Sequence, residues 1–153
     1  MNKISLKGKI RAAVCGLVFM GAGIGAVSAQ EDHILCSVYG KISQATVDFM
    51  MPLTLEQVTG MMTGQNPGLL SKFVDIMAGS ITVREQRALA AMPQSDVNLL
   101  SEYAGQITMQ KVMSMQIRDR SRTRELMEKE CKTIGAKTLI ARLKKAKAAL
   151  KGQ

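Results

Sequence analysis

Tryptophan is absent from this 153-residue chain, five aromatic side chains occur in all, and His33 is the sole histidine. Each shortage removes a kind of chemistry. One histidine near the start supplies no Ser–His or Cys–His couple and no zinc-type ligand spacing. Few aromatics leave no platform for stacking bases, so nucleic acid is not an expected partner. The three cysteines, Cys15, Cys36 and Cys131, form no C-x-x-C, which removes a thioredoxin-like redox motif and a covalently held haem. No glycine-rich phosphate loop occurs. No segment alternates with period two for long enough to argue a strand. No cofactor is implied, and a catalytic role has no residue constellation to recommend it.

What is present begins with a basic, acid-free start (Lys3, Lys7, Lys9, Arg11), an apolar stretch from Ala12 to Val27, and the small-residue site Val27-Ser28-Ala29. This three-part pattern predicts a bacterial secretory signal peptide over 1–29, cleaved after Ala29. The expected location is the periplasm or the secreted fraction. Cys15 leaves with the leader, and no later apolar run reaches the ~20 residues of a membrane span. Cys36 and Cys131 then remain as an even pair in an oxidising compartment, which predicts one disulfide. It closes a loop of about 95 residues, worth roughly 4–5 kcal/mol in the chain-entropy model.

Helical periodicity runs through the rest. Ile34, Leu35, Val38, Tyr39, Ile42, Ala45 and Phe49 make one apolar stripe, with Cys36 to its side and a stop before Pro52. Capping boxes at Thr54-x-x-Gln57 and Thr82-x-x-Glu85, and Asn66-Pro67, predict three further helix starts. Gly64 and Gly79 are expected stops. Ser95 is the expected cap of the longest helix. Gly135 separates a last helix, Ala136 to Lys151. The fold class is all-α: a small single-domain bundle of five or six helices with one disulfide. A disulfide-closed unit spans 30–135, and a basic amphipathic helix occupies 136–153.

Charge is bipolar. Residues 30–105 carry eight acidic and four basic side chains, whereas 106–153 carry thirteen basic and four acidic ones. Two basic segments are candidate surfaces for an anionic partner: Arg118, Arg120, Arg122 and Arg124, and Lys144, Lys145 and Lys147 of the final helix. In a helix, Arg118 would stand with Arg122, and Arg120 with Arg124, as a solvated face laced by ion pairs. The final helix either docks on the acidic half of the same chain or lies against a partner or an anionic membrane surface. Ten methionines follow residue 29. They suit an irregular core or an adaptable binding surface, and Met109 and Met113, one turn apart, are the candidate soft ligands for Cu(I).

The expected function is a non-enzymatic interaction or structural protein of the bacterial envelope, binding another protein or an anionic surface. The alternatives are a Met-rich periplasmic chaperone, a Cu(I)-binding protein and, behind these, a small envelope hydrolase.

Overall fold

A computed structural model describes residues 29–151, so the expected signal segment lies outside the described residues apart from Ala29. Among those residues there are seven α-helices and no strand: α1 Ala29–Met50, α2 Leu55–Thr63, α3 Pro67–Ser80, α4 Val83–Ala90, α5 Gln94–Met113, α6 Thr123–Ile134 and α7 Ala136–Lys151. A 3-10 turn, Arg120–Arg122, precedes α6. Five or six helices were expected. The extra one arises because α5 ends at Met113 instead of running into the arginine segment. Met115 there takes a left-handed conformation (φ 61°) that side chains other than glycine rarely adopt.

Local chemistry sets most boundaries. Thr54 and Thr82 each accept from the third helical amide, while Gln57 and Glu85 reach back to the cap, completing both capping boxes. Asn66 caps α3 with Pro67 as its first residue, and a left-handed Gly64 closes α2. Two expected boundaries moved. Helix α3 runs through Gly79 to Ser80, because the Thr82 box, not the glycine, forces the chain out of helix. Helix α5 starts at Gln94 behind Pro93 with no side-chain cap, leaving Ser95 exposed in its first turn.

The longest helix is α1, and it is the hub, packing against α3, α4, α5, α6 and α7. Its burial therefore extends beyond the single stripe read from the sequence. Cys36, Ser43 and Val47 are buried along with Leu35, Val38, Tyr39 and Ile42. Ser43 and Thr46 are tolerated inside because their hydroxyls donate to the carbonyls of Tyr39 and Ile42, one turn back, at 2.8 Å each.

Helices α1 and α6 lie antiparallel in close contact. A Cβ at Gly40 would stand 2.8 Å from the carbonyl oxygen of Arg124 and 3.0 Å from Glu128 Cβ, so only glycine allows this approach. One turn away on each helix, Cys36 and Cys131 form the disulfide, with Cα atoms 5.3 Å apart. Both cysteines are completely buried. The cross-link thus sits inside the core although Cys36 lies to the side of the apolar stripe, because α6 covers the side of α1 opposite that stripe.

The final helix is docked. Ala136, Leu139, Ile140 and Leu143 are buried, and Asp32 of α1 accepts from the Ala136 amide at 2.8 Å. Lys144 meets Asp96 at 2.8 Å and Lys147 meets Glu102 at 3.8 Å, so α7 clamps the acidic half of the chain through α5.

Candidate functional site

The most densely bonded polar group is Glu85, which the sequence offers both as the closing residue of a capping box and, with Glu56 and Glu102, as a carboxylate free to pair in space. Glu85, on α4, is 6% exposed and accepts four hydrogen bonds. Ser37 Oγ donates at 2.9 Å and Lys41 Nζ at 2.7 Å, both from α1. The Thr82 amide and hydroxyl donate at 2.7 and 2.9 Å. Burial pushes the Glu85 carboxyl upward, but the Lys41 ammonium, the Thr82 donors and Ser37 outweigh it and hold its pKa at about 2. So held, Glu85 is ionised at neutral pH and is a poor proton donor. The cluster fastens α4 to α1. The only trace of it in the sequence was Ser37 and Lys41 one turn apart on the same helix.

Nearby, the buried Tyr39 phenol is pushed upward first by burial and then by the Glu130 charge, so it stays protonated. Glu130 itself pairs with Lys111 of α5. Glu102 pairs with Lys147, and Glu56 is exposed on α2.

The arginine segment does not form the helical face expected of it. Arg118 and Arg120 are exposed, and Arg120 lies in the 3-10 turn. Asp119 caps that turn by accepting from Ser121, which with Arg122 keeps its carboxyl below the ordinary range. Arg122 holds Glu125 through two bonds, at 2.9 and 3.1 Å. Arg124 and Lys132 flank Glu128 at 3.8 and 2.6 Å. Gln44 of α1 ties this region down: its amide nitrogen donates to the Arg120 carbonyl at 3.1 Å, and its oxygen accepts from the Arg124 amide at 3.0 Å. The expected grouping of Arg118 with Arg122 and Arg120 with Arg124 therefore fails, since residues 114–119 are not helical. A shallow, open depression borders Arg122, Glu125, Lys129 and Lys132. Of its cations, Arg122 meets Glu125 and Lys132 meets Glu128. Of the α7 lysines, Lys144 and Lys147 are engaged with α5, while Lys145 is exposed.

The methionines divide. Met61 and Met127 are buried, and Met51, Met77, Met92 and Met109 pack against the core cluster. Met62, Met113 and Met115 are 53%, 78% and 65% exposed. Met109 and Met113 therefore do not share an environment, one touching the core and the other in solvent. Among the described residues, no group of three His, Cys, Asp or Glu side chains is placed to hold a metal ion.

One surface departs from the charged exterior. Helix α2 is fixed at both ends by its caps, yet among the described residues its substantial packing is against α3 alone. Met61 turns inward, whereas Leu55 is 83% exposed and Met62 more than half exposed. Leu55, Val58 and Met62 fall on one side of the helix at i, i+3 and i+7. Ile76 on α3 is also exposed. Residues 49–71 contain a single charge, Glu56. No helix among the described residues is long and apolar enough to cross a membrane. The chain matches no protein family, no curated protein and no solved structure.

Proposed function

We propose that this chain is an exported, non-enzymatic interaction protein of the bacterial envelope, with the outer face of α2 as its principal protein-binding surface. The observation that carries this reading is the exposure of Leu55 and Met62 on a helix whose ends are firmly capped. Large apolar side chains clustered at helical spacing on a charge-poor surface are the composition of an interface centre. The helix-in-groove mode of recognition uses the same spacing of anchors. The buried Cys36–Cys131 bond supports an oxidising compartment, in keeping with the signal-like start of the sequence.

A second reading, contact with an anionic surface, draws on the exposed Arg118 and Arg120 and on Lys137, Arg142 and Lys145 of α7. The Cu(I) reading draws on less, since Met113 stands in solvent while Met109 packs on the core.

The test is a Leu55→Ser, Met62→Ser double variant. Both side chains are mostly exposed, so thermal stability should be unchanged within about 0.5 kcal/mol. Recovery of a stoichiometric partner from envelope extract should be lost. Retention of the partner by the variant would overturn the assignment of α2. Loss only on changing Arg118, Arg120 and Lys145 to Gln would move the surface to the basic face.

A further inference from the structure

Endoproteases take their substrates as exposed, extended chain, and a bond inside a helix must first be unwound. Seven arginines follow residue 29. Arg84 and Arg87 lie in α4, Arg124 in α6 and Arg142 in α7, while Arg120 and Arg122 belong to the 3-10 turn. Among the described residues, Arg118 is the one arginine outside every helix and outside that turn. It is exposed, and Asp119 after it has an extended backbone (φ -96°, ψ 101°). No hydrogen bond or ion pair reaches Arg118 among the described residues. By contrast, the Arg120 carbonyl accepts from Gln44 at 3.1 Å and from the Thr123 hydroxyl at 2.7 Å. We infer that the Arg118–Asp119 peptide bond is a processing site for an arginine-specific endoprotease, whose cut leaves a two-chain protein joined by Cys36–Cys131.

The step is a hydrolysis. The hydroxyl of water goes to the Arg118 carbonyl carbon and its proton to the Asp119 nitrogen as the peptide bond breaks. The cut falls inside the loop that Cys36–Cys131 closes, so one covalent link between the two pieces survives. The later piece keeps its packing as well. Met127, Leu139, Ile140 and Leu143 are buried, and Lys144 and Lys147 meet Asp96 and Glu102 of α5. Anchors on either side limit what must open. Upstream, the Gln116 and Ile117 amides both donate to the Lys111 carbonyl, and the Ile117 side chain is buried. Downstream, the Asp119 carboxylate accepts from the Ser121 amide and hydroxyl. Seating the chain in a protease cleft therefore needs local release of residues 114–119, and not unfolding of the bundle. The site is independent of the α2 face.

The experiment is limited digestion of the folded, disulfide-intact protein with a purified arginine-specific endoprotease, read by electrophoresis with and without reductant and by intact mass. Without reductant one species should persist, heavier by one water. With reductant it should part into two fragments whose new ends are Arg118 and Asp119. Because Arg118 is exposed, Arg118→Gln should leave Tm unchanged. It should slow the first cut by more than about a hundredfold, since the arginine pocket of the enzyme loses its partner. Arg87→Gln, at an exposed position within α4, should leave the rate unchanged. Urea well below the unfolding transition should also leave it unchanged, because a local opening exposes little surface. A first cut after an arginine of the helices, an Arg118→Gln variant cut as fast as the wild type, or cleavage only once urea unfolds the chain would each overturn the inference.

Discussion

Changing Glu85 to Gln keeps the shape of the side chain and removes its charge from a site packed with donors. Lys41, only 12% exposed at its side chain, would keep its ammonium with no carboxylate to face. Leaving one member of a buried pair costs about 3–5 kcal/mol in well-sealed interiors. The partial exposure of Lys41 lowers the expectation to about 2–3 kcal/mol, since the ammonium can reach water. Proton linkage gives a similar figure. A carboxyl brought from 4.5 to about 2 on folding contributes roughly 3 kcal/mol at neutral pH. Because the folded pKa is the lower one, that contribution is complete above the unfolded value and is lost as pH falls towards 2. Denaturation by urea at pH 7, 4 and 2, with the disulfide intact, measures it. The variant should be less stable by 2–3 kcal/mol at pH 7, and the gap should close towards pH 2. Adding Lys41→Met to Glu85→Gln should recover much of the loss, as buried pairs are replaceable by apolar groups. A gap below about 1 kcal/mol, or one unchanged between pH 7 and pH 2, would refute this account of the cluster.

Three further outcomes follow from the helix packing. Cys36→Ala with Cys131→Ala opens a 95-residue loop and should lower stability by about 4 kcal/mol, measured by denaturant titration; labelling of the denatured, unreduced wild type should find no thiol from either cysteine. Gly40→Ala forces α1 from α6 and should cost about 1–3 kcal/mol, seen as a lowered Tm. Truncation after Gly135 removes three buried aliphatic side chains, Leu139, Ile140 and Leu143, worth more than about 4 kcal/mol together, so circular dichroism should show loss of cooperative unfolding. A truncated chain that melts cooperatively near the wild-type temperature would show that α7 is dispensable.

The helices and their caps were legible because each depends on neighbours in sequence, and the disulfide pair because only two cysteines, 95 residues apart, follow the expected leader. Thr54 with Gln57, Asn66 with Pro67, and Thr82 with Glu85 announce themselves at fixed spacing. What sequence could not supply was the crowding around α1. An apolar stripe reports one buried side, whereas Cys36, Ser43 and Val47 are buried by α6 and other helices that arrive from distant parts of the chain. The break at residues 114–119 was hidden for a different reason: Met115 adopts a conformation that sequence signals assign to glycine. Glu85 was visible as a cap, but its long-range partners Ser37 and Lys41 lie more than forty residues away. The α2 face was concealed by its own composition. Leu55, Val58 and Met62 are apolar residues at the spacing of one helical face, and only tertiary packing shows which part of that face the described residues leave uncovered.

The central claim is that the exposed face of α2 is a contact surface in the envelope. A photoreactive amino acid placed at position 55, with a control at position 145 on the outer side of α7, tests it in living cells. The account predicts a discrete adduct from position 55 on irradiation and none from position 145. An adduct at twice the protomer mass would identify a second copy, and any other discrete mass would identify a different protein. Absence of an adduct at 55, or cross-linking confined to 145, would contradict the claim and shift the working surface to the basic face.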